Sequence, residues 1–233
     1  LVVTSNKETD IVIEFQDAEG NRKVSGYLAL PKSGEGPGVI VFHAWWGLTS
    51  FFKGVCERLA EAGFVALAPD LYQGKSATTI NEAKQLITAR DFDRSLQDIN
   101  GAIEYLRKLP SVRGNIIGAI GFSMGGSYAF GMSSDRPEIA AVVAFYGLEL
   151  GPDYSTAKAA YLGHFAELDE WESAEDVTKM EAELYKAGKE VTFYTYPGTK
   201  HWFFEENHAD AYDAEAAQLA WERSIAFLHR HLM

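Results

Sequence analysis

Short apolar runs without polar interruption alternate with longer segments in which apolar residues recur every three or four positions, and this alternation fills most of the chain. Val39 to Phe42, Phe64 to Ala68, Ile116 to Ile120 and Ile139 to Phe145 are runs of the first kind, the pattern of strands covered on both faces. Ala159 to Gly163 reads as a shorter strand and Val191 to Tyr196 as the last. Of the second kind are Phe52 to Ala62, closed by Gly63 in a left-handed cap, and Ile80 to Leu109, with Asp91 or a neighbour as a break and Pro110 as the stop. A helix capped by Ser173, with Asp176 in its third position, carries Val177, Met180 and Leu184 on one face and ends at Gly188. The terminal helix carries Trp221, Ile225, Leu228 and Leu232. Only the start differs: Ile11, Ile13 and Phe15 alternate, 17–21 turn, and Val24 to Leu30 resume, predicting an antiparallel edge hairpin before a loop over Pro31 to Gly38. The whole predicts an α/β fold: a mostly parallel sheet, helices on both faces, and ligands bound beyond the carboxyl ends of the strands. No repeat or linker interrupts it, so residues 1–233 read as a single domain.

Composition narrows the function. Hydrophobic residues are 47% and aromatics 13%, enough for a globular core. The net charge of −12 repels phosphate backbones and anionic membranes, which argues against nucleic-acid or membrane partners. Six scattered histidines and one cysteine give neither a metal site nor a disulfide framework. Cys56 falls in the helical stripe Phe52, Val55, Cys56, Leu59, where it reads as a small core residue. The opening Leu1 to Lys7 lacks a signal-peptide pattern, and no apolar run is long enough to span a bilayer. The expected setting is soluble and cytoplasmic.

One stretch carries chemistry. Gly121-Phe122-Ser123-Met124-Gly125 reads G-x-S-x-G where a strand runs straight into a helix, the context of a nucleophile elbow. Such a turn strains the serine backbone, so Gly121 and Gly125 supply the missing side chains on either side. It lifts the Ser123 hydroxyl above the sheet edge, with the Met124 amide at a helix N-terminus aimed at the same space.

A serine hydroxyl needs a base and an acid to orient that base, and in the α/β-hydrolase order both follow the elbow, acid first. His201, after the last strand and the loop Pro197 to Lys200, fits the base; His43 precedes the elbow, and His208, His229 and His231 lie on or near the terminal helix. Glu167, Asp169 and Glu170 follow the preceding strand. Asp169 is preferred for its short side chain and its place before the Ser173 cap, with Glu167 in reserve. The second oxyanion donor falls to the Trp45 amide in His43-Ala44-Trp45-Trp46-Gly47, and Trp45, Trp46 and Trp202 are candidate walls of the substrate pocket.

The succession Val41 to Leu48, Ala68-Pro69-Asp70-Leu71-Tyr72, Gly121 to Gly126, Leu162 to Asp169 and Tyr196 to Phe203 resembles the dienelactone hydrolase family of α/β-hydrolases, from about residue 24 onward. The resemblance implies a compact hydrolase without a large cap domain, using Ser123, Asp169 and His201 on enol-lactones or related esters. This chain departs from the best-known members in two respects. Ser123 stands where they have cysteine and Ala44 where they have a glutamate that restrains the resting thiol, so the chain is either a natural serine enzyme or one that has lost its nucleophile. Their substrate-carboxylate arginines also lack counterparts: Gln73-Gly74-Lys75 and Phe204-Glu205-Glu206 occupy those places, and Glu205 near a pocket would oppose an anion.

The resulting expectation is a serine hydrolase of small neutral esters or lactones, working through an acyl-enzyme without a cofactor. A serine peptidase or thioesterase could use the same triad, and a catalytically silent binding protein would follow from a lost cysteine. Oligomeric state is not encoded in any readable seam.

Overall fold

The computed structural model describes residues 10–233; the opening segment read for a signal pattern lies outside the described residues. Eight strands run β1-β2-β4-β3-β5-β6-β7-β8 in one sheet. The chain divides into two compact units at Ile117/Gly118.

In the first unit, β1 (Asp10–Gln16) and β2 (Lys23–Ala29) form the expected antiparallel hairpin, Ile13 opposite Gly26. Ile13 and Phe15 face inward while Val12 is exposed, as period-two alternation on a half-covered edge requires. β3 (Gly36–Phe42) runs parallel to β4 (Val65–Pro69), and β2 joins β4 antiparallel. β3 begins three residues before the expected strand start at Val39. Its glycines serve close packing: a Cβ on Gly36 would overlap the Gly63 carbonyl, and one on Gly38 would press on Leu106, Val112 and Ile117.

α1 (Ser50–Glu61) buries Phe52, Val55, Cys56 and Leu59, and Gly63 adopts φ +96° beyond its end. The long helical segment is two helices, α2 (Ile80–Ala89) and α3 (Phe92–Lys108). Asp91 is the break between them, and its carboxylate accepts from the Arg94 amide as the N-cap of α3. α2 opens on a reciprocal capping box between Thr79 and Glu82.

β5 (Val112–Phe122) is twice the expected strand, and its first half is exposed; Ile116 is 41% accessible, so only Ile117 onward is covered on both faces. The second unit follows with α4 (Met124–Asp135), β6 (Ile139–Phe145), a 3-10 turn at Tyr154–Thr156, β7 (Ala160–Leu168), α5 (Ala174–Lys186), β8 (Val191–Lys200) and α6 (Ala214–Leu232). β6, β7 and β8 are parallel. Both β7 and β8 outrun their apolar cores. Pairing shifts from Ala166 opposite Tyr196 to Leu168 opposite Lys200, so Pro197 to Thr199 form a bulge rather than the expected free loop. On α6 the buried seam is Ala217, Ala220, Ser224 and Leu228; Trp221 and Ile225 sit at its margin, because small residues let the helix approach closely. Among the described residues, no helix is long and apolar enough to cross a membrane.

Asp91→Ala should cost about 1 kcal/mol of stability through loss of the α3 cap, read as a lower urea midpoint at unchanged slope.

Candidate active site

β5 ends at Phe122, and the chain enters α4 through Ser123 at φ +52°, ψ −117°. A non-glycine residue rarely adopts this region, so the surroundings must hold it there. They do so by backbone contact on three sides. A Cβ on Gly121 would overlap the Gly125 carbonyl, one on Gly126 would lie 3.0 Å from the Gly147 Cα, and one on Gly147 would overlap the Ser123 carbonyl. Ser123 N–H donates to the Phe145 carbonyl at 2.9 Å, and the Ser123 carbonyl accepts from Gly126 N at 2.7 Å. Met124 opens the first turn of α4.

β7 delivers Asp169 immediately past its last residue, and β8 delivers His201 immediately past Lys200. The Asp169 carboxylate meets His201 Nδ1 at 2.8 and 3.0 Å through its two oxygens, and His201 Nε2 lies 3.0 Å from Ser123 Oγ. The Asp169 and His201 side chains are only 3% and 4% exposed. Because a carboxylate accepts, Nδ1 carries the proton, which leaves the Nε2 lone pair facing the hydroxyl. Asp169 Oδ1 also accepts from the amides of Trp171 (2.8 Å) and Glu172 (3.0 Å), so the turn after β7 fixes the carboxylate before the imidazole arrives. Glu167, the reserve acid, is spent elsewhere: it accepts from Gly198 N at 2.8 Å and pins the β8 bulge. Burial, then the neighbouring Asp169, Asp176 and Glu149, pushes the Glu172 carboxyl up to about 8.

The remaining candidates are placed as follows. Trp202, at φ +68°, is buried, with its ring 5.1 Å from that of His201 and 5.3 Å from that of His208. Trp45 and Trp46 belong to the first unit, both buried and packed edge to face at 5.5 Å, and the Trp46 carbonyl accepts from Ala77 N. His43 is a neutral core histidine there: Leu71 N–H donates to Nε2 at 3.3 Å, so Nδ1 donates to the Ala44 carbonyl at 2.7 Å, and burial pulls its pKa down. Glu205 departs from expectation. It is wholly buried and accepts from Tyr146 Oη at 2.9 Å, so its carboxyl faces a phenol of the same unit.

Three residues beside the site escaped sequence reasoning. Tyr146, at φ +39°, lays its ring 4.8 Å from that of His201; Gly147 underlies Ser123; Trp171, 46% exposed, has its ring 6.3 Å from His201. Their signal was position: the first two follow β6 directly, at the same sheet edge as the elbow.

A parallel sheet, a strained serine between β5 and α4, and an acid and a histidine delivered in order by β7 and β8 define the α/β-hydrolase class. The chain belongs to the dienelactone hydrolase family, whose model matches residues 24–232. It is therefore a hydrolase of carboxylic ester or lactone bonds. It is 35% identical over 231 residues to "Protein usf" of Aquifex pyrophilus, covering 95% of this chain and 98% of the relative. It is 32% identical over 222 residues to the Bradyrhizobium protein named "Probable 2-oxo-3-(5-oxofuran-2-ylidene)propanoate lactonase", covering 88% and 89%. The fold is shared with a solved dienelactone hydrolase-like promiscuous phosphotriesterase from metagenomic libraries, at TM-score 0.85 and 21% identity over 97% of this chain and 100% of that one.

Gly147→Ala would drive a methyl into the Ser123 carbonyl. The expected outcome is a loss of about 2 kcal/mol or more in stability together with displacement of Ser123, seen as a lower Tm and a crystallographic shift of the elbow.

Proposed function

We propose that this chain is a serine hydrolase of small neutral esters and lactones, working through an acyl-enzyme on Ser123, with all 233 residues acting as one hydrolase domain in the cytoplasm. The observation that carries the reading is the single imidazole within hydrogen-bond distance of both a carboxylate and the elbow hydroxyl. Ser123 Oγ attacks the carbonyl carbon as its proton passes to His201 Nε2. Asp169 stabilises the resulting imidazolium and holds its tautomer. The Met124 amide, in the first turn of α4, donates to the carbonyl oxygen as it gains charge, where one such donor is worth about 3 kcal/mol of barrier. His201 returns the proton to the departing alkoxide, which in a lactone remains tethered to the acyl group. It then takes a proton from water, and the hydroxide so generated releases the acid and restores Ser123.

A neutral substrate is supported by the aromatic surroundings of the imidazole, formed by Tyr146, Trp171 and Trp202. The buried Glu205 contributes nothing to this choice. Lactone chemistry is supported by the name of the Bradyrhizobium relative. A cytoplasmic setting fits the free, buried Cys56.

A fluorophosphonate probe should add one adduct, mapped to Ser123 by peptide mass and abolished in Ser123→Ala, and short-chain esters and lactones should be turned over. A native chain that takes no label and hydrolyses no p-nitrophenyl acetate would instead be a silent binding protein on this fold. Asp169→Asn should lower kcat by on the order of 10³ to 10⁴, with KM little changed, because an amide permits the wrong tautomer.

A further inference from the structure

Beside His201 lies a second set of polar groups that the proposed reaction does not use. Tyr146 is fully buried, and its φ of +39° is held by its N–H donating to the His164 carbonyl at 2.8 Å. Its ring packs at 4.8 Å from the imidazole, inclined at 54°. Its hydroxyl is tied to Glu205 Oε1 at 2.9 Å. Glu205 is itself held by its backbone, its N–H donating to the Trp202 carbonyl and its carbonyl accepting from His208 N. Its second oxygen, Oε2, has His208 Nε2 at 3.6 Å, beyond hydrogen-bond length but within ion-pair range.

A wholly buried carboxyl with one phenol partner is a costly arrangement to retain for packing alone, since leucine or phenylalanine would fill the same space without desolvating a polar group. What it gains here is a tether. A tyrosine ring with only van der Waals neighbours can slide; one whose hydroxyl is bonded to a side chain fixed at both backbone ends cannot do so without breaking a buried hydrogen bond. That ring sets one face of the His201 imidazole, while Asp169 fixes one of its nitrogens.

We propose that Glu205 is a positioning residue for His201, acting through Tyr146, and that its ionisation tunes the base. The proposal rests on His201 being the base of the reaction proposed above. Burial raises the Glu205 carboxyl to about 8, and burial lowers His208, so both favour the uncharged pair at neutral pH. Tyr146 is raised well above its ordinary value, by burial first and then by Glu205 and Asp169, so the phenol stays protonated and donating. Other titratable groups that bear on this cluster are Asp169, which acts on Tyr146, Asp210, which acts on His208, His164 on β7, held neutral by burial and Arg223, and Tyr196 on β8, raised by burial and with its ring packed on Phe203. Neither His164 nor Tyr196 ionises near pH 8 in the direction that would mimic Glu205. Above about pH 8, a carboxylate appears one phenol ring away from the imidazole. It strengthens the Tyr146 hydrogen bond and favours the imidazolium that forms as Ser123 gives up its proton.

The linkage has a definite sign. The folded carboxyl binds its proton more tightly than the unfolded one, whose ordinary value is 4.5. The native state therefore loses stability as pH rises from about 4.5 to about 8 and levels off above.

The test compares Glu205→Leu and Glu205→Gln in the full-length enzyme, against p-nitrophenyl acetate, from pH 5 to 9.5. The native enzyme should show a rise in kcat through an inflection near pH 8. Glu205→Leu should lower kcat about tenfold at pH 7, with KM within about twofold. Glu205→Gln keeps an acceptor for Tyr146 Oη, so it should recover most of that kcat while lacking the inflection. Independently of turnover, the Tm of Glu205→Gln relative to native should climb as pH rises from 5 to 9. Unchanged kcat in Glu205→Leu, an inflection that persists in Glu205→Gln, or a Tm difference that is flat with pH would overturn the proposal. If these failures occur while Ser123→Ala still abolishes turnover, the acyl-enzyme reading stands and only the role of Glu205 falls. A native chain that takes no label at Ser123 removes both.

Discussion

An imidazole that must satisfy a carboxylate on one nitrogen and a hydroxyl on the other is the constraint from which the rest of the second unit follows. Those two hydrogen bonds demand that three segments distant in sequence end at one level of the sheet. β5, β7 and β8 meet the demand by different means. β5 stops in a strained turn; β7 runs past its apolar core and turns sharply, with Asp169 collecting two amides; β8 takes a bulge that Glu167 braces before releasing His201. The bulge re-aims the strand end, which unbroken β pairing could not do.

One buried polar network near this point is fully answered. His164 lies under the site on β7 with both ring nitrogens engaged. Ser224 Oγ donates to the Ala220 carbonyl, so it accepts from Nε2–H at 3.0 Å, and Nδ1 then accepts from Tyr196 Oη at 2.9 Å. Arg223 donates to that same phenol oxygen and stacks over Tyr194. Burial, then Arg223, drives His164 down to about 3, so it remains neutral through the range in which His201 is proposed to act. A fully satisfied network of this kind rigidifies the strand ends and does not compete for the proton being transferred.

Much of this was legible in the residues. The elbow could be read because its chemistry demands glycines at fixed offsets, and the Asp91 break could be read because a capping aspartate has a local signature. Asp169 and His201 were legible as placements after strands, though their contact is a tertiary fact that no spacing encodes. Apolar runs mark only the covered parts of β5, β7 and β8, because backbone pairing extends a strand regardless of side-chain character. Gly36 and Gly38 read as loop residues in sequence because close packing and tight turning both select glycine, and only the neighbour distinguishes them. Glu205 follows the histidine loop, which in sequence suggests a place near the pocket, whereas the structure buries it. The Tyr146 hydroxyl that accommodates it lies 59 residues earlier in the chain.

The most direct test of the central claim is nitrogen and proton NMR of the His201 ring in the resting enzyme at neutral pH. The structure calls for a strongly deshielded Nδ1–H that vanishes in Asp169→Asn, together with an unprotonated Nε2 whose shift responds to Ser123→Ala. An Nε2–H tautomer, or an Nδ1 proton indifferent to Asp169, would contradict it.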